Sequence, residues 1–247
     1  MAEQIYVYGI VPGQVRIDKG TTGVGDPPAD VRVIEHGDLA ALVSPLTTER
    51  ALGTPEDLQA HAALLDSAAG EIPVLPLRFG AVLASEDAVR DELLAANHDE
   101  FRAALDELDG KAQYVIKGRY ESSAVLTDIL RNNEQAAQLR EEIQGKPEEA
   151  TRSERIALGE LISKDIAARR DADTQRVVDM LTERGIDVSV RQPSHEDDAV
   201  HLACLAKTEQ QDELESLVGD LAEEWSNRVE LRLLGPLAAY DFVITKE

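Results

Sequence analysis

The residue types able to do chemistry are present in this 247-residue chain, but their spacing assembles none of the common sites. Lys19-Gly20-Thr21-Thr22-Gly23-Val24-Gly25 has the glycines of a phosphate loop. Its lysine precedes the glycines, however, and Asp26-Pro27-Pro28 follows where a helix should open. A carboxylate and two prolines cannot offer a phosphate a row of N–H donors, so the segment is expected to be a plain loop before a strand. His195-Glu196-Asp197-Asp198 carries metal-ligand side chains, all consecutive. Metal sites draw ligands from separate elements that fix their geometry, so a solvated hairpin turn is expected here.

The five histidines, at 36, 61, 98, 195 and 201, show no pair at the i, i+4 spacing of a helical metal site. His61 lies beside the apolar stripe of a predicted helix and is expected to be packed, not a catalytic base. Cys204 sits between Ala203 and Leu205 in a predicted strand and reads as an inert core thiol. Neither Gly-x-Ser-x-Gly nor HExxH occurs. Carboxylates are so abundant that no chosen pair is informative. These residues single out no catalytic, cofactor-binding or metal-binding position, and an enzyme with a carboxylate-only site stays open as a rival. Arg78, in Leu75-Pro76-Leu77-Arg78-Phe79-Gly80, is a cation among apolar neighbours. It is expected to be buried and paired with a carboxylate from another element, with an anion site as the alternative.

The elements that would position these residues follow from periodicity and punctuation. Gln4–Val11 is a strand apolar on both faces, hence central or well covered. Residues 31–36 and 39–45 form a hairpin about Gly37-Asp38. A helix starts at Thr54-Pro55-Glu56-Asp57, with Leu58, Ala62, Leu65 and Ala69 at helical spacing. Residues 72–83 are extended because of Pro73 and Pro76. A helix from Ser85 presents Val89, Leu93, Phe101, Leu105 and Leu108, breaks near Asn97 and ends at Gly110. Residues 111–120 alternate as a half-buried strand.

The remainder reads as polar helix over 121–145, a long charged helix over 148–184, a strand at 186–190 and a strand at 199–206. A helix marked by Leu214, Leu217, Val218, Leu221 and Trp225 follows, then a strand at 228–234, a turn at Gly235-Pro236 and a last strand at 240–245. The long helix reads as solvent-facing and laced with i, i+4 ion pairs, or else as a docking surface. The fold class is therefore α+β with two small domains. Residues 1–110 form one. Residues 111–247 form the other, a ferredoxin-like βαββαβ unit plus a strand, with 121–145 as a helical insertion.

Composition limits the partners. There are 48 acidic against 25 basic residues, a formal charge of −23. Such a surface repels nucleic acid and anionic lipid. No apolar run approaches the ~20 residues that span a bilayer, and the opening segment lacks the pattern of a signal peptide. One cysteine allows no internal disulfide, which suits a reducing compartment.

Several segments together resemble the gas vesicle protein F/L family. They are Tyr6-Val7-Tyr8-Gly9-Ile10, His36 through Ser44, His61 through Leu65, and Val74-Leu75-Pro76-Leu77-Arg78-Phe79-Gly80. Gly110-Lys111 with Tyr114 and Lys117-Gly118, and Leu234-Gly235-Pro236-Leu237-Ala238-Ala239-Tyr240-Asp241-Phe242, complete the series. The likeness is in order over nearly the whole chain and leans to the F branch. Asp241 departs from it, since a small polar residue such as serine is commoner there.

The resemblance implies a factor needed to build gas vesicles, the hollow protein-walled buoyancy organelles of some bacteria and archaea. It implies two α+β domains, the second ferredoxin-like, with no catalytic activity and no cofactor. The implied partners are the small hydrophobic shell protein and other accessory proteins, with neither nucleic acid nor membrane. The implied location is the cytoplasm and the gas vesicle. A ferredoxin-like module that binds a small regulatory metabolite is the alternative from another class.

Overall fold

The computed structural model describes residues 4–46 and 51–243. They fold into two compact units. The first comprises the chain up to Tyr114, Leu205–Gln211 and the segment from Gly235 on; the second comprises Val115–Cys204 and Asp212–Leu234.

The first unit is organised on β1 (Ile5–Pro12), whose first seven residues are all buried. β1 pairs antiparallel with β3 (Leu39–Pro45), which pairs in turn with β2 (Arg32–His36) across the turn at Gly37. On its other side lie two short strands, β4 (Leu75–Pro76) and β5 (Val82–Leu83). A register shift between Val7 and Gly9 switches the side-chain alternation. Tyr6, Tyr8 and Val11 therefore share one face, while Ile5, Val7 and Ile10 share the other.

α1 (Pro55–Ala69) packs on the tyrosine face, where Leu65 and Ala69 join Tyr6 and Tyr8. Its start is a capping box in which Thr54 and Asp57 each satisfy the other's backbone N–H, with Pro55 in the first turn. The apolar spacing predicts Leu58 and Ala62 on the inner face, but the buried residues are Asp57, His61, Leu65 and Ala69. Leu58 is 49% exposed. The helix is turned because Asp57 and His61 are fully hydrogen-bonded inside, which a hydrophobicity pattern does not register.

The other face is covered by α2 (Glu86–Ala88), a π turn over Val89–Ala95 and α3 (His98–Leu108). The π turn adds a residue, so Leu94 is buried rather than the expected Leu93. The break falls at Asn97, whose side-chain amide donates to the Leu93 carbonyl at 2.8 Å.

β6 (Lys111–Tyr120) leads into α4 (Ser122–Asn132), α5 (Glu134–Ile143) and α6 (Arg152–Thr182). β7 (Asp187–Val190), β8 (Asp198–Lys207), α7 (Gln211–Glu224) and β9 (Val229–Leu237) follow. The second sheet has the order β7-β8-β6-β9. β6 is more buried than expected, because Gln113 and Val115 are covered as well as Tyr114 and Ile116.

The turn expected at Gly235-Pro236 lies within β9, which continues to Leu237. An edge strand tolerates the missing N–H of proline. The last strand expected at 240–245 is corrected for its described part: Tyr240–Phe242 is a turn, closed by the Phe242 N–H on the Ala239 carbonyl. Residues 244 and 245 lie outside the described residues. The chain contains no helix, among the described residues, long and apolar enough to cross a membrane.

Candidate functional site

Four separated stretches meet around one histidine in the first unit. β1 supplies Tyr6 and Tyr8, α1 supplies His61, the segment after β4 supplies Phe79, and the segment after β9 supplies Tyr240. His61 stacks on Tyr8, with ring centroids 5.6 Å apart, and meets Tyr6 and Phe79 edge-on at 5.7 and 5.6 Å. Tyr240 lies tilted at 6.4 Å.

The hydrogen bonds orient the imidazole. Nε2 lies 3.2 Å from the Leu77 carbonyl, which can only accept, so Nε2 carries the proton. Nδ1 then accepts from the Tyr6 hydroxyl at 2.9 Å, and that hydroxyl accepts from the Gly80 N–H at 3.1 Å. Tyr8 works similarly: its hydroxyl accepts from Val24 N–H at 2.8 Å and lies 2.8 Å from Ser44 Oγ. A Cβ on Gly23 would fall 1.7 Å from the Tyr8 oxygen, so only glycine fits. Asp57 fastens the neighbouring loops, accepting from Gly25 N–H and Gly53 N–H at 3.2 and 3.1 Å. Asp66 on α1 accepts from the Ala238 N–H at 2.9 Å, which ties down the segment carrying Tyr240.

Burial keeps this centre neutral. It pushes the Tyr6 hydroxyl up to about 12, against the lowering effect of the Gly80 N–H. It raises Tyr8 and lowers His61. Burial, then the nearby Asp66 and Tyr6, raise Tyr240. Burial also raises Asp66. Tyr6 and His61 are 0% and 3% exposed, so neither presents an atom to a solution substrate. The geometry suits joining strand, helix and two distant segments, with Tyr240, 39% exposed, at the outer side of the group.

In the second unit a polar cluster does the corresponding joining. Asp173 on α6 accepts from Tyr120 Oη at 2.7 Å and from both Arg228 terminal nitrogens at 2.6 and 3.0 Å. The Arg228 guanidinium lies over Trp225, 4.8 Å from the ring centre.

The residues weighed for chemistry are dispersed. Residues 19–25 form a loop in which Val24 is buried. In the 195–198 turn Asp198 is fully buried, and its Oδ2 accepts from Ser194 N–H, Ser194 Oγ and His195 N–H. Burial would raise that carboxyl, but these bonds and nearby Lys117 hold it below the usual range. It closes the turn instead of facing outward. Cys204 is buried. No group of three or more metal-ligating side chains occurs among the described residues.

Arg78 corrects an expectation. It is exposed, because the chain leaves the sheet edge in a turn closed by Ala81 N–H on the Arg78 carbonyl, with Gly80 at φ 93°. Leu75 and Leu77 enter the core while Arg78 starts the excursion.

Every segment that meets at His61 is one in which the sequence resembles a known family. The family model described as gas vesicle synthesis protein GvpL/GvpF matches residues 4–244. The chain belongs to the GvpL/GvpF family. It is 31% identical over 241 residues to gas vesicle protein F of Streptomyces sp. (strain CB03234), covering 96% of this chain and 98% of that one. Gas vesicle protein L of the same strain is 31% identical over 132 residues, 48% of either chain. The crystal structure of GvpF from Anabaena sp. PCC7120 is 25% identical and superposes with a TM-score of 0.79, covering 99% of this chain and 100% of that one. This GvpL/GvpF protein is thus a gas vesicle protein whose likeness to F relatives extends over the full length.

Proposed function

We propose that this GvpL/GvpF protein is a non-enzymatic assembly factor that binds the small hydrophobic shell protein and supports formation of the gas vesicle. It acts in the cytoplasm and at the vesicle, together with other accessory proteins. Its second domain, from about residue 111, is read as ferredoxin-like with a helical insertion. The observation carrying this reading is the family match over residues 4–244.

Physical chemistry supports it. A protein that walls off gas must expose apolar surface, which aggregates before assembly. A chain of net charge −23 stays dispersed and can keep a bound apolar partner dispersed. Grooves of suitable character exist within each unit. One, of about 650 Å³, runs beside α1 and includes Val15, Ile17, Leu64 and Ile72. Another, of about 450 Å³, lies by α4 and α6 and includes Val125, Leu126, Ile162 and Ile166. Apolar contact with a charged rim is weakened only in part by salt, since screening reaches the rim and spares the centre.

The test is co-purification with tagged shell protein at low and moderate salt, beside a clean deletion. Retention at both salts and loss of normal vesicles are expected. No binding at either salt, with intact vesicles in the deletion strain, would overturn the reading.

A further inference from the structure

Among the described residues β9 ends the second sheet, with β6 on one side and no strand on the other. It is nine residues long. The opposite edge strand, β7, has four. Glu230, Arg232 and Leu234 are exposed, and Arg232 Nη2 lies 2.6 Å from Glu230 Oε1, so these side chains share a face. Val229 and Leu231 point the other way, where a Cβ on Gly118 would lie 3.1 and 2.9 Å from their side chains.

The backbone can be read in the same way. Glu121 N–H donates to the Arg228 carbonyl. In an antiparallel ladder the backbone groups of alternate residues point to alternate sides. Arg228, Glu230 and Arg232 therefore turn theirs toward β6, and Val229, Leu231 and Leu233 turn theirs outward. Edges of this length are ordinarily cut short, bulged or covered. Here Pro236 blunts the far end, and at the near end the Val229 N–H donates to the Trp225 carbonyl, which leaves Leu231 and Leu233 as the open stretch.

We propose that β9 pairs with β9 of a second copy of this chain, antiparallel, about a two-fold axis at Leu231. Leu231 then exchanges both backbone hydrogen bonds with its own counterpart, and Val229 lies opposite Leu233 of the partner subunit. Glu230 faces Arg232 of the partner subunit, and Arg232 faces Glu230 of the partner subunit. Both pairs fall at non-hydrogen-bonded positions, where facing side chains approach most closely. The occupant follows from this charge order: an acid and a base flanking the axis complement themselves under a two-fold rotation. An all-acidic or all-basic strand would leave one of them facing its own sign. Repulsion between two chains of −23 opposes the pairing. It is screened beyond about 8 Å at physiological ionic strength, so the dimer is expected to strengthen between low salt and ~0.15 M.

Sedimentation equilibrium of the full chain at ~0.15 M salt, over a concentration series reaching roughly 200 µM, tests this. A monomer–dimer equilibrium is expected. Glu230→Lys and Arg232→Glu should each weaken it by about tenfold or more, because a like charge then faces each remaining one. The swapped double variant Glu230→Arg/Arg232→Glu should restore it, and also shows that the strand still folds. Oxidation of Glu230→Cys/Arg232→Cys should link two chains covalently, while the wild type, whose one cysteine is buried, should not link. A wild type monomeric throughout the series would overturn the proposal. So would single reversals that dimerise as the wild type does.

Discussion

The first seven residues of β1 are all buried, whereas only Val177 and Leu181 are buried among the 31 residues of α6. Both elements carry groups that water would normally claim, and they satisfy them differently. Around β1 the hydroxyls of Tyr6 and Tyr8 and the ring of His61 are sealed in and bonded at fixed distances. Along α6 the charges pair at the surface: Arg169 with Asp165 one turn away and with Asp128 of α4 at 2.7 Å, and Arg176 with Glu224. A sealed polar group is costly to orphan, and an exposed ion pair contributes little. The same number of altered atoms should therefore cost far more at β1 than on α6.

The sharpest way to break this contrast is His61→Ala. It removes a side chain packed on four rings and leaves Tyr6 and the Leu77 carbonyl without their partner. A loss of about 3–5 kcal/mol is expected in urea unfolding, and a loss below about 1 kcal/mol would show that the centre relaxes freely. Gly23→Ala comes next, at about 2–3 kcal/mol, because its methyl would displace the Tyr8 hydroxyl. A wild-type midpoint for this variant would mean that the loop moves without cost.

Asp173→Asn probes the second unit's joint. Arg228 is 34% and Asp173 13% exposed, so a solvent-discounted loss of about 1–2 kcal/mol is expected. Arg78→Ala and Ile156→Ala close the series at about 1 kcal/mol or less, both side chains being exposed. A loss at either site as large as that for His61→Ala would erase the distinction.

Acid gives a second measure of the same contrast. Burial lowers the His61 pKa below its ordinary 6.5, so the unfolded chain takes up the proton first. Its contribution is complete above 6.5 and is lost as pH falls toward the depressed folded value. His98 has the opposite sign: Asp99 and then Asp38 raise it, so its contribution is complete below 6.5 and fades as pH rises through the raised value. Unfolding free energy followed from about pH 7.5 to 5.5 should fall less steeply for His61→Gln than for the wild type. An unchanged slope would place the proton uptake elsewhere.

What was legible in the chain had local causes. The both-face apolar run of β1, the Thr54 cap, the hairpin at Gly37 and the break at Asn97 each lie within a few residues of the signal that reveals them. The turned face of α1 was hidden because its buried positions include Asp57 and His61, satisfied by Gly25, Tyr6 and Leu77 from elsewhere. The exposure of Arg78 depends on a turn at a sheet edge, and PLRFG alone does not say which residue leaves the edge. The grouping of Tyr6, His61, Phe79 and Tyr240 has no periodic trace at all. It became visible only as a set of short family-like motifs that later proved to be neighbours.

The bond from Ala238 N–H to Asp66 joins residues 172 positions apart. During synthesis the ribosome must add that whole stretch before Asp66 meets its partner, roughly 10–30 s at ordinary elongation rates. Through that interval the nascent first unit has His61 without Tyr240 beside it. Its completion therefore waits until the second unit has been made, and a ribosome stalled before Ala238 would display an unfinished unit to proteases and chaperones.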